Sequence, residues 1–175
     1  METGLALDNS RWEDLRTRNG NATWVPGWLR QLDANPLDHK LFSDEWAALC
    51  SEGSTWSAAY AAFPHLVRIA SRVRPEERFE YVVVLGLIVR DQCYGDSAGP
   101  MGLRPYLAAD FQAAIGPALQ LAAEVLGVAR PDEQELRYGL MAVTALQGYY
   151  QLAEFIDQLD DGDVCPPYAE FLGRK

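Results

Sequence analysis

The side chains able to do chemistry are few and far apart. His39 and His65 are the only two histidines, and histidine is the usual base near neutral pH. His65 follows Pro64 and reads as a half-buried residue in a first helical turn. His39, in Leu37-Asp38-His39-Lys40, reads as part of a solvated helix start. Cys50, Cys93 and Cys165 are odd in number and form no CxxC pair, so neither a disulfide framework nor a zinc site is indicated. Cys93 beside Tyr94 needs a neighbouring histidine and a positive setting to act as a nucleophile, and an acidic chain with two histidines favours a packed thiol. No HExxH, GxSxG, P-loop or GxGxxG motif occurs. Asp160-Asp161-Gly162-Asp163 lacks the alternating ligands and distal glutamate of an EF-hand loop and reads as a solvated helix end. No catalytic residue, metal ligand or cofactor site is therefore assigned.

Binding is the better expectation. Lys and Arg number 15 against 25 Asp and Glu, a formal charge of −10. Such a field repels phosphate, which disfavours nucleic acid, and speeds encounter with basic partners. Trp12, Trp24, Trp28, Trp46 and Trp56 all fall in the first third of the chain. Most tryptophans fill core gaps between helices, yet tryptophan and tyrosine also dominate interface hot spots. Glu52, Trp56 and Tyr60 are accordingly the candidate partner-binding residues, for a basic protein partner. The competing expectation is an enzyme or small-ligand binder with Glu52, Tyr60 and Asp91 as the polar groups of a groove. A deep pocket where Glu52, Asp91 and His65 converge would favour that alternative.

The elements that must position these residues are helices. Trp56, Tyr60, Phe63, Val67 and Ala70 recur at steps of four and three. Leu136, Leu140, Val143 and Leu146 form a second stripe. Tyr149, Leu152, Ala153, Ile156 and Leu159 form a third, and a long segment begins at Tyr106 and runs through Leu126. Val82, Val83 and Val84 are β-branched and favour a strand. Their segment is long, however, and starts with Pro75-Glu76-Glu77, as helices prefer. A buried helix is expected there. Tyr60, Phe63, Val67, Val83, Leu87, Val143 and Leu146 are the expected core, so Tyr60 belongs to both the core and the binding set. Asn19-Gly20 reads as a stop to a helix over 11–18, and Ser54 or Thr55 as a helix N-cap.

Met1 to Asn9 carry acids and no basic n-region, so no secretory signal is expected. The longest apolar run, Tyr81 to Val89, is far short of the ~20 residues that span a bilayer. A soluble cytoplasmic protein with no membrane partner follows as the expectation.

A weak repeat is also present. Val25-Pro26-Gly27-Trp28-Leu29, Phe63-Pro64-His65-Leu66-Val67 and Ile115-Gly116-Pro117-Ala118-Leu119 each set a proline among apolar residues. Proline in a first helical turn loses no hydrogen bond. With the glycine- and proline-rich break near 94–105 set aside, the spacing approaches the ~40–47 residues of HEAT or armadillo units. The stretch from Trp46 through Ser51-Glu52-Gly53-Ser54-Thr55-Trp56 to Phe63-Pro64-His65-Leu66 resembles a motif of small bacterial HEAT-like proteins. In them a Trp-led helix, a tight turn, an alanine-rich helix and an apolar-Pro-apolar helix start follow one another. Trp12 to Leu15, Val25 to Leu32 and Leu146 to Ala153 resemble further parts of that pattern. The turn Cys50-Ser51-Glu52-Gly53 lacks the His-Gln pair seen there, and Cys165-Pro166-Pro167-Tyr168 keeps one cysteine of a Cys-Pro-x-Cys. Some similar proteins are immunity- or interaction-type proteins near polymorphic toxin systems. The resemblance implies an all-α fold of stacked antiparallel helix pairs, a HEAT/armadillo-like α-solenoid forming a single domain over 1–175, with a long loop near 94–105 and a short C-terminal tail over 161–175. It also implies an immunity-type role, neutralising a basic partner.

Overall fold

Helix α1, Val25–Ala34, starts where Pro26 fits the first turn at no hydrogen-bonding cost, and it stops at Asn35 ahead of Pro36. Helix α2, His39–Trp46, is capped by Asp38, whose side chain accepts from the Leu41 amide at 3.0 Å. Then come α3, Ser57–Ala70; α4, Phe79–Arg90; α5, Ala108–Val128; α6, Glu133–Leu146; and α7, Tyr150–Asp157. These belong to a computed structural model that describes residues 4–51, 53–94, 101–128 and 133–160. Among the described residues the protein is all-α apart from two two-stranded hairpins. None of the described helices is long and apolar enough to cross a membrane.

The valine-rich segment is helical, but Pro75-Glu76-Glu77 forms a separate 3-10 turn ahead of it and α4 begins only at Phe79. Other local expectations are corrected. Asn19-Gly20 does not stop a helix. A 3-10 turn at Ser10–Asp14 gives way to a hairpin of β1, Arg16–Thr17, and β2, Gly20–Asn21. Gly20 adopts φ +118°, which L side chains rarely reach. Ser54 and Thr55 cap nothing, because they form β4, paired with β3, Cys50–Ser51. Trp56 holds the N-cap position of α3 with extended backbone instead. The Arg16 amide donates to Ser57 Oγ at 2.9 Å and the Arg18 amide to the Ala48 carbonyl at 2.8 Å, tying the first hairpin to α3 and to the segment that leads into the second hairpin. Of the three repeated prolines only Pro26 lies in a first turn. Pro64 is inside α3 and Pro117 inside α5, so the prolines mark no common unit start.

Alanine-rich α3 lies at the centre, with every residue but Arg68 buried. Its Tyr60 and Phe63 rings meet Phe111 of α5 edge-on, at 5.2 and 4.8 Å between centroids. Helix α4 packs closely on α6. A Cβ at Gly86 would lie 2.5 Å from Cα of Ala142, so glycine permits the approach. That approach selects the buried face of α6, which is Met141, Ala142 and Ala145. Leu136 and Leu140, expected to face inward, are each 43% exposed. Tyr60, Phe63, Val67 and Leu146 are buried as expected, whereas Val83, Leu87 and Val143 are only half-buried. The break near 94–105 is described only outside 95–100, and the tail over 161–175 lies outside the described residues.

Candidate functional site

The half-buried positions of α4 lead to the site. Successive turns of α4 bury Val82, Leu85, Ile88 and Val89 in the core. Phe79, Val83 and Leu87 face a groove of about 810 Å³ instead. Helix α2 forms the opposing wall with Phe42 and Trp46. It is held there by Phe42, whose ring centroid is 4.4 Å from Tyr81 and 6.2 Å from Trp28. The Trp28 indole N–H also donates to the Leu41 carbonyl at 3.2 Å, and the Tyr81 hydroxyl to the Pro36 carbonyl at 2.8 Å. Burial pushes the Tyr81 hydroxyl pKa up, so it stays a donor. The second hairpin contributes Cys50, Ser51 and Gly53 to the groove.

The far end is polar. Arg90, the last residue of α4, and Asp91 just beyond it are 7% and 3% exposed. Arg90 Nε donates to Asp91 Oδ1 at 2.7 Å, while its Nη1 pairs with Asp157 Oδ2 of α7. Glu154 and Gln158 join Asp157 on the same side, and Tyr138 of α6 completes the end. Glu80, paired to His39 Nδ1 at 3.1 Å, adds a carboxylate near α2. Among the described residues, four lining carboxylates therefore face one lining guanidinium, with Arg137 donating to the Asp157 carbonyl and lying over the Tyr138 ring.

The electrostatics follow from that imbalance. Burial raises the Asp91 pKa above its ordinary value. The hydrogen bond and charge of Arg90 pull the other way, and Asp157 and Glu154 add repulsion. Burial also disfavours charge on Arg90, but the Asp91 bond and the Asp91 and Asp157 charges outweigh it and raise its pKa. The Cys50 thiol is pushed up by complete burial and then by the Asp91 charge, which leaves it protonated and a poor nucleophile. Chemically the arrangement offers an aromatic and aliphatic wall beside an acidic end. That suits holding a positive charge on an apolar body.

The sequence candidates are distributed unevenly around this groove. Asp91 lines it. Glu52 lies outside the described residues, though its neighbours Ser51 and Gly53 line the groove. Tyr60, a candidate partner-binding residue, is 1% exposed and belongs to the α3–α5 core, because its stripe is covered by Phe111 and its neighbours. It offers no surface to a partner or a groove. Trp56 is half-buried at the start of α3 and is not among the lining residues. Its indole N–H is buried and has no hydrogen-bond partner among the described residues. His65 does not converge with Asp91. Its Nε2 lies 2.9 Å from the Leu5 carbonyl, beside a separate cavity of about 290 Å³ that Arg30 and Arg68 also line. The Cys93 side chain lies outside the described residues. Sequence reasoning missed Arg90, Asp157, Glu154, Phe79 and Tyr138. The available signal was an arginine-aspartate pair closing an apolar helix, with acids three apart in α7.

No protein-family model, curated protein or solved structure matches the chain.

Proposed function

We propose that the protein is a binding module that takes a basic group into the groove between α2, α4 and α7, and that the group is presented by a basic protein partner. The observation that carries this reading is the pairing of an aromatic wall with four lining carboxylates against one guanidinium. The overall charge of −10 supports it, because a negative field speeds encounter with a basic partner. The reading is that of an immunity-type module in the cytoplasm, built on HEAT-like stacking of helix pairs. Neighbour-to-neighbour packing of α3, α4, α5 and α6 is what supports such stacking.

The partner-binding residues now proposed are Trp46, Glu80 and Asp157, with Glu52 kept from the sequence. Trp56 serves α3 rather than the groove. A short peptide carrying lysines around one aromatic residue is the simplest probe. Titration should change tryptophan fluorescence saturably, and added salt should slow association, since exposed charges are screened within about 8 Å at physiological ionic strength. An acidic peptide of the same length should not bind, and Glu80→Lys should weaken the basic one. Equal binding of both peptides, or indifference to Glu80→Lys, would remove the groove from the function.

A second reading, a free small ligand, is favoured by volume alone. About 810 Å³ falls within the roughly 300–1,000 Å³ of small-molecule sites. It would use Asp91 but neither Tyr60 nor His65.

A further inference from the structure

We infer that the groove selects an ammonium group carrying apolar substituents over a guanidinium. This rests on the proposed binding of basic groups and specifies their chemistry.

A guanidinium is recognised best by a carboxylate that offers both oxygens to its planar fork. Three of the four lining carboxylates already have one oxygen engaged within the protein, so they do not offer a free fork. Asp91 Oδ1 is engaged by Arg90 Nε, Asp157 Oδ2 by Arg90 Nη1, and Glu80 Oε2 by His39. Arg90 already occupies, from within the protein, the place an incoming arginine would claim. What remains for a ligand is the excess negative field and the aromatic wall. Trp46 and Phe79 both line the groove, and among the described residues neither stacks on another ring nor carries a cation over its face. Val83 and Leu87 continue that wall with aliphatic surface. An ammonium bearing methyl or benzyl groups matches this combination. It needs no fork, it sheds water more cheaply than a bare ammonium, and its spread charge is attracted to ring faces. Such a group can arrive on an alkylated lysine of a partner or on a free amine.

The test compares probes on the full chain by calorimetry. The free probes are benzyltrimethylammonium, benzylguanidinium and benzyl alcohol. The peptide probes are one sequence bearing trimethyl-lysine, lysine or arginine at the same position. The trimethylammonium probes should bind roughly 10-fold more tightly than their guanidinium counterparts, a size consistent with desolvated cation–π contacts. Binding of the peptide form alone assigns the ammonium to a partner, and binding of the free form as well admits a small molecule. Either result supports the selectivity. Phe79→Leu and Trp46→Leu keep an apolar side chain but remove the ring. They should weaken the ammonium about 5- to 10-fold while leaving benzyl alcohol unchanged, with melting temperature as the folding control. Arginine or benzylguanidinium binding as well as the ammonium would overturn the inference and leave the proposed function standing. Failure of every cation would overturn both. Equal loss of ammonium and benzyl alcohol in the leucine variants would assign the wall a purely apolar role and also overturn the inference.

Discussion

Helices α3 and α4 are both strongly apolar, yet they do different work. Helix α3 is enclosed on every side and contributes to function only by holding its neighbours in place. Helix α4 is enclosed on one side by α3, α5 and α6, while Phe79, Val83 and Leu87 look across a gap toward α2. The difference lies in what stands opposite each helix. Phe111 of α5 closes the Tyr60–Phe63 face of α3. Across the groove from Val83 and Leu87 one wall is α2, eight residues long and anchored through Phe42. A site arises where an apolar face lacks a close neighbour, and its chemistry comes from the charged residues at the end of that face.

The sharpest break in the comparison is by truncation. Phe63→Ala in α3 should cost about 3–5 kcal/mol, transfer plus cavity, because no solvent can fill the space. Leu87→Ala in α4 should cost less than about 1.5 kcal/mol, because part of that side chain already faces the groove. Urea unfolding of the two variants measures both. Similar losses would mean that the groove is closed in solution and α4 is as enclosed as α3.

Next is the charged end of α4, which is buried, whereas Arg68 in the last turn of α3 pairs with Asp33 at the surface. Arg90→Met leaves Asp91 buried beside Asp157 and Glu154, and should cost about 3 kcal/mol, the lower part of the range for breaking a buried pair, because Asp157 is partly solvated. The double change Arg90→Met with Asp91→Leu should recover most of that loss. If the single change leaves the unfolding midpoint untouched, the pair does not hold α4 to α7.

Gly86→Ala probes the enclosed side of α4. The added methyl would meet Ala142 at 2.5 Å, and forcing α4 from α6 should cost about 1–3 kcal/mol. The same change at Gly116 of α5, where a Cβ meets nothing within 4 Å, should be neutral or slightly stabilising. Thermal melts of the pair separate close packing from helix propensity.

The smallest effect expected is on pH dependence. An acid loses its charge as pH falls through its pKa, and burial sets that of Asp91 above the ordinary 3.8. Cation binding favours the ionised groove, so affinity should fall between neutral pH and a pH just above the ordinary aspartate value, where an exposed aspartate would still be charged. Titration of the lysine peptide at the two pH values reads it. Unchanged affinity would show that Asp91 lends no charge to the groove.

The site was partly legible before the fold. Asp91 and Glu52 could both be selected as acids of a groove, because each stands beside a helix that carries aromatic residues. Tyr60 was misplaced because a periodic stripe says which residues share a face but not what covers it. Leu136 and Leu140 were misplaced for a related reason. Leucines outrank alanines in any hydropathy pattern, yet the close fit of Gly86 on Ala142 turns the Met141–Ala142–Ala145 face of α6 inward and leaves Leu136 and Leu140 exposed. Asn19-Gly20 and Ser54-Thr55 misled because two-residue strands carry too little alternation to be separated from helix ends.

The sequence by itself determined the helical class, the helical state of the valine-rich segment, the helix start near His39 and the acidic balance of the whole. Each follows from local backbone preference or from a sum over residues. Only the tertiary structure decided which face of α4 stays open and that Arg90 reaches Asp157, 67 positions away in the chain. It alone placed Trp46 and Phe79 on the same groove. Those are contacts between distant segments, set by how closely helices can approach one another, and no local pattern records that distance.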